Sequence, residues 1–277
     1  MNPMRILLIF ISAFLCINYS CITKEKKHQI NDKSEIINTI PFKNTSKVIH
    51  VFVALCDNKY QGIVPVPPKI GNGQDPENNL YWGCGFGIKT FFKKSKEWQL
   101  VKSEKYSGMI LERLIFKYKT KDVYLIADAY NGKEIENCTK DFLNSNAGNI
   151  KDTIIVNKKT IGINANANLV AYIGHNGLMD FNLSDDYNNS DSLHRDCIIL
   201  ACKSQKYFSN YIKNSKSNPL IWTTQFMAPE AYTLHDALTG YANKENATQI
   251  HLRAAKAYSK YQKCSINAAK KLIATGF

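Results

Sequence analysis

The sequence predicts an α/β fold, a three-layer αβα sandwich built on a mostly parallel sheet, and three observations carry that expectation. Apolar runs of strand length recur along the chain with helical stretches between them. Two of these runs, residues 168–174 (NLVAYIG) and 197–201 (CIILA), are apolar without alternation, the pattern of strands covered on both faces. At 277 residues the chain can bury a large core without disulfide staples.

In chain order, residues 1–20 combine a basic start, an apolar run and a small-residue end at Ser20, which is the pattern of a secretion signal. The run is shorter than the roughly 20 apolar residues that a membrane-spanning helix requires. Residues 21–45, rich in Lys, Glu, Asn and Ser, read as a flexible tether. Residues 48–56 form the first strand, and the Gly/Pro-rich stretch 62–79 after it can be neither helix nor central strand. A helix is expected over 80–94, a strand over 123–129, a helix over 133–143 and a short strand over 153–156. The runs 168–174 and 197–201 end at His175 and Cys202. A fifth strand is expected at 220–224, with helices over 229–241 and 248–275. Without repeats or an internal boundary, residues 46–277 read as one domain.

The junction Ser20-Cys21 resembles a bacterial lipoprotein signal, which implies acylation of Cys21 and a membrane attachment through that lipid. Without acylation the same segment implies ordinary secretion. The remaining cysteines have neither zinc spacing nor a need to bridge, so mostly free thiols are expected, with no metal and no cofactor. The net charge of +13 peaks in a Lys-rich C-terminal stretch that reads as a solvated helix face, with anionic lipid as its alternative partner. Nucleic acid is excluded as a partner, because no binding motif or aromatic interleaving accompanies the charge.

The chemistry gathers where strands end. Ligands of open parallel sheets bind beyond the carboxyl ends of the strands. If the strands ending at His175 and Cys202 are parallel neighbours, both side chains emerge at one edge, and the 26 residues between them suffice for the crossover. A thiol is only a few per cent ionised at neutral pH, and an adjacent imidazole can take its proton. Gly177 and Cys202 are the expected backbone donors to a developing oxyanion. Asp57, directly after the first strand, is either a turn residue or an orienter of His175 or of a basic substrate group. Asp180, Trp222, Thr224 and Glu230 stand on loops expected to line the cleft and are weaker substrate-binding candidates. His194 precedes its strand and is expected at the opposite edge, and neither His50 nor His251 is placed to reach the site.

An apolar strand ending in His with a nearby Gly, followed by an apolar strand ending in Ala201-Cys202, resembles the clan of caspases, legumains, gingipains and clostripain. The resemblance implies a caspase-like cysteine peptidase with His175 as general base and acid, Cys202 as nucleophile, Gly177 and Cys202 as oxyanion donors, and a protein or peptide substrate. Two features depart from the pattern. The glycine stands one place later, in His175-Asn176-Gly177, and the His precedes the Cys by less than the roughly 50 residues usual in caspases. The other reading from a different class is a non-catalytic envelope lipoprotein that uses the same sheet as a binding module. An NlpC-type peptidase is disfavoured, because there the cysteine precedes the histidine.

Overall fold

Strand β1 (Lys47–Ala54) is apolar on both sides: Ile49, Val51 and Val53 point into one core, and Val48, Phe52 and Ala54 into a second. A strand buried on both faces belongs inside a sheet, and β1 lies near the middle of one. The protein is described here by a computed structural model covering residues 42–277. The signal segment, Cys21 and the tether up to residue 41 lie outside the described residues.

The other strands are β2 (Trp98–Lys105), β3 (Ile110–Tyr118), β4 (Val123–Tyr130), β5 (Lys151–Val156), β6 (Lys159–Asn164), β7 (Leu169–Gly174), β8 (Asp196–Leu200), β9 (Asn218–Thr223) and β10 (Ile273–Ala274). Eight of them form one sheet in the order β10-β9-β8-β7-β1-β4-β3-β2. Its central five, β9 to β4, run parallel, while β3, β2 and β10 are antiparallel additions. Strands β5 and β6 form a separate hairpin. Its turn residues Asn157 and Lys158 both have positive φ (49° and 67°), as a two-residue turn matched to strand twist requires.

The helices are α1 (Ile88–Lys93), α2 (Ile135–Ala147), α3 (Ser204–Asn214), α4 (Ala231–Ala242), α5 (Ala247–Gln262) and α6 (Ile266–Leu272). One face of the sheet carries α1, α4 and α5 through Phe92, Leu234, Ala254 and Tyr258. The other carries α2, α3 and the hairpin through Phe142, Phe208 and Ile161. The result is the three-layer αβα sandwich with a mostly parallel sheet.

Several elements differ from expectation. The helix over 80–94 shrinks to Ile88–Lys93, because residues 80–87 fold as turns around Asn79, whose amide bonds the Cys56 carbonyl (2.8 Å) and whose carbonyl accepts from Cys56 (3.0 Å) and Tyr81 (3.1 Å). A Cβ on Gly87 would collide with the Trp82 backbone, so glycine is required at the start of that helix. The single helix over 248–275 is α5, α6 and β10, broken where Lys263 turns left-handed (φ 56°) and Ser265 caps the next helix. Folded structure also begins before residue 46, since the Asn44 side chain bonds Gly162 O, Gly162 N and Asn166 O.

The antiparallel extension is secured by buried charge. Asp128 on β4 receives Arg113 Nε and Nη2 (2.6 and 2.7 Å) from β3 and His50 Nε2 (3.0 Å) from β1. Burial alone would raise its carboxyl, but these donors outweigh it and hold it at about 2. A folded value below the unfolded one means that this stabilisation is present above about pH 4 and is lost as the pH falls toward the folded value. The difference corresponds to about 2 kcal/mol. Urea midpoints of Asp128→Asn are therefore expected to lie well below wild type at about pH 6 and to converge on it as the pH is lowered toward 2.

Candidate functional site

The site follows from strand register. In the parallel pair β7–β8, Ile173 stands opposite Leu200, and His175 and Cys202 each follow two residues later, in the loops that leave the two strands at the same edge. Neighbouring strands are about 4.8 Å apart, which brings the two backbones to one place at the carboxyl edge of the sheet. A bond from Asn176 Nδ2 to Cys202 O (2.7 Å) ties the loops together there. Gly174, at φ 147°, turns β7 into its loop in a conformation that side chains disfavour, and a Cβ there would press on Ala54 O (2.9 Å).

His175 is buried and fixed from both ends. Its carbonyl accepts the Tyr172 hydroxyl (2.7 Å), and its Nε2 meets Asp180 Oδ2 (2.7 Å). Its Nδ1 has no hydrogen-bond partner among the described residues. The Cys202 thiol is partly exposed and is bracketed by Met227, donating to its carbonyl (3.5 Å) and accepting from its amide (3.4 Å). No hydrogen bond joins the Cys202 thiol to the His175 imidazole, and each is held by its own loop partner, Met227 and Asp180. Met227 belongs to the loop after β9, which is also held by Ala228 N on the Tyr258 hydroxyl (3.3 Å). Tyr81 stands at the same edge, between Cys56 and Cys202, with burial driving its phenol well above the usual range.

The other expected residues divide. Gly177 is buried beneath Phe181 and Ile135, with the Tyr172 hydroxyl near its amide, so it is less open than the backbone donor expected there. The amides of Asn176 and Cys202 have no protein acceptor among the described residues. Asp57 is the turn residue of the two readings: it accepts Lys59 N (2.8 Å), Tyr60 N (3.2 Å) and Gln74 Nε2 (2.6 Å), and it does not bond His175. Trp222 is fully buried against Phe277, so it is core rather than cleft. Thr224 is bonded to the end of α6 through Lys271 O (2.9 Å) and Leu272 O (3.2 Å). Glu230 is tied to Tyr232 (2.9 Å) and Gln262 (3.3 Å), its carboxyl raised by burial. Asp180 is a partner of His175 rather than a wall of the cleft.

His194 lies at the opposite edge on Lys216 O (2.9 Å), His50 is inside the sheet, and His251 caps Ile273 O (2.7 Å). A cavity of about 750 Å³ between Lys47, Arg195, Asp196 and Tyr241 also lies at that amino edge, away from the strand ends that precede His175 and Cys202. Among the described residues, no group of His, Cys, Asp and Glu is placed to hold a metal, and no helix is long and apolar enough to cross a membrane. Asn176, Met227 and Tyr81 were not distinguishable in the sequence, because their roles depend on loops folding over the edge. No protein-family model, curated protein or solved structure matches the chain.

All six cysteines of the described residues are free. Burial pushes the Cys56 thiol up to about 11 and those of Cys138 and Cys197 higher still. Iodoacetamide at about pH 8 is expected to label Cys202 while Cys56, Cys138 and Cys197 stay unlabelled in the folded protein, as read by peptide mass spectrometry. Cys202→Ala is expected to cost less than about 1 kcal/mol in urea unfolding, since the thiol leaves no closed cavity.

Proposed function

We propose that the chain is a cysteine peptidase, or a related acyl hydrolase, of the bacterial cell envelope, built on a caspase-like sheet. The observation that supports this reading is the parallel pairing of β7 and β8, after which Cys202 and His175, the latter with no partner on Nδ1 among the described residues, follow at the same edge of the sheet. The thiol proton passes to His175 Nδ1, and the thiolate attacks the substrate acyl carbon. The oxyanion that forms is met by the free amides of Asn176 and Cys202, which restores a donor directly after the histidine. Collapse breaks the bond to the leaving amine, which takes the proton from His175, and a thioester remains on Cys202. Water then gives its proton to His175 and its hydroxyl to the acyl carbon, and the proton returns to sulfur as the acid departs.

The substrate class is a protein or peptide, and Cys21, where acylated, attaches the enzyme to the membrane. The bonds between the thiol and Met227 favour a second reading, a binding module on the same fold whose thiol is capped. Acyloxymethyl ketone probes separate the two. The enzyme reading expects labelling of the wild type that is abolished in Cys202→Ala and slowed at least about tenfold in His175→Ala, a modest loss for a general base. Equal labelling of wild type and His175→Ala would leave the binding module standing. Intact-mass analysis of protein extracted from membranes is expected to find a diacylated or triacylated Cys21 at the N-terminus.

A further inference from the structure

We propose that Asp180 is the positioning residue of His175, and that the amide of Gly62 holds it in place, so that the long loop after β1 sets the orientation of the base. This rests on the dyad reading above.

A carboxylate can only accept hydrogen bonds, so the proton between His175 and Asp180 belongs to Nε2. A neutral imidazole with its proton on Nε2 keeps its lone pair on Nδ1, the atom left without a partner. Asp180 thereby selects the tautomer that can receive the thiol proton, and its charge stabilises the imidazolium that results. The same Oδ2 accepts Gly62 N (2.9 Å), so one oxygen joins the histidine loop to the loop after β1. The contact leaves no room for a side chain at Gly62, since a Cβ there would run into the Asp180 carboxylate. Asp180 has no Lys or Arg partner among the described residues, and His175 is its one ionic contact. Its side chain is 28% exposed, so its charge is not committed to holding the core together.

The Gly62 loop is itself built to stay in place. Gln61 Nε2 bonds Leu55 O (2.7 Å) and Gly132 O (3.0 Å), and Asn58 pairs with both the amide and the carbonyl of Val66 (3.0 and 2.7 Å). Between these anchors Val64 is 87% exposed, which leaves the tip of the strut open to a ligand. Of the other titratable groups, Tyr172 faces Asp180, and Tyr81 stands between Tyr172 and Cys202 at the same edge.

The test is the rate of Cys202 alkylation by iodoacetamide between about pH 5 and 9, with thermal unfolding midpoints, in the full chain and in His175→Ala, Asp180→Asn, Asp180→Glu and Gly62→Ala. Asp180→Asn is nearly isosteric and can still accept from Gly62. It is expected to slow alkylation about tenfold near neutral pH, with the deficit closing at high pH where a thiol ionises unaided. Gly62→Ala, which displaces the carboxylate without removing it, is expected to follow Asp180→Asn, and Asp180→Glu to recover part of the rate. A slow His175→Ala beside a wild-type profile in Asp180→Asn would overturn the positioning role while leaving the dyad intact. His175→Ala as fast as wild type would instead overturn the dyad itself. Lowered unfolding midpoints with an unchanged pH profile in both Asp180→Asn and Gly62→Ala would make the contact structural and also overturn the proposal.

Discussion

The parallel pairing of β7 with β8 is the constraint on which the site depends. Parallel strands bring all their carboxyl ends to one edge, and the side chains just beyond those ends converge whatever their separation in sequence. With Ile173 opposite Leu200, a shift of one residue in either strand would move Cys202 away from His175 and turn Ile198 and Leu200 out of the core they share with Ile173. The apolar side chains that stabilise the sheet therefore also specify where His175 and Cys202 leave it. That coupling explains why the pair can be held without a bond between its members. Its position is fixed by the sheet, while its hydrogen bonds go to the loops.

The carboxylates of the molecule show how structural and poised charge differ. Asp128 is 1% exposed and saturated, with three donors from two strands, and its charge is consumed in joining β1, β3 and β4. Glu112 is equally buried and accepts from Trp82, Lys89 and Ser103. Asp57 is filled by the amides of its own turn and by Gln74. Asp180 differs in both respects. It is partly hydrated, and both of its donors share Oδ2, leaving Oδ1 without a partner among the described residues. A carboxylate so placed keeps its influence on the imidazole, because no Lys or Arg among the described residues neutralises it.

The sheet's parallel core was legible because its strands are apolar runs that nothing else explains, and the two residues ending β7 and β8 could be named from that alone. The antiparallel half was not. Strand β3 carries a buried Glu112, a charge that reads as exposure until its partners on other elements are known, and β2 is largely exposed. Helix α3 was hidden behind Lys203, whose left-handed conformation (φ 50°) opens it, and its buried residues Phe208 and Ile212 are too few to mark a period. Within the site, sequence placed Asp180 near the histidine only as a loop residue, since the turn Gly177–Met179 that swings it back onto Nε2 has no strong local signature. Trp222 misled in the opposite sense. A tryptophan near a strand end suggests a cleft wall, but β10 and Phe277 return from the far C-terminus to cover it.

The loop after β9 is the last part of the arrangement to account for. Met227 takes both hydrogen bonds available to the Cys202 sulfur, yet sulfur is a weak donor and a weak acceptor, and neither contact is short. On the dyad reading the thiol must leave these contacts for Nδ1, which would leave the backbone amide and carbonyl of Met227 facing the cleft. An extended peptide carries the complementary pair of groups on its own backbone, so on that reading a peptide substrate would take the place of the sulfur as the partner of Met227. The contact that parks the thiol and the surface that would align a peptide would then be the same two atoms.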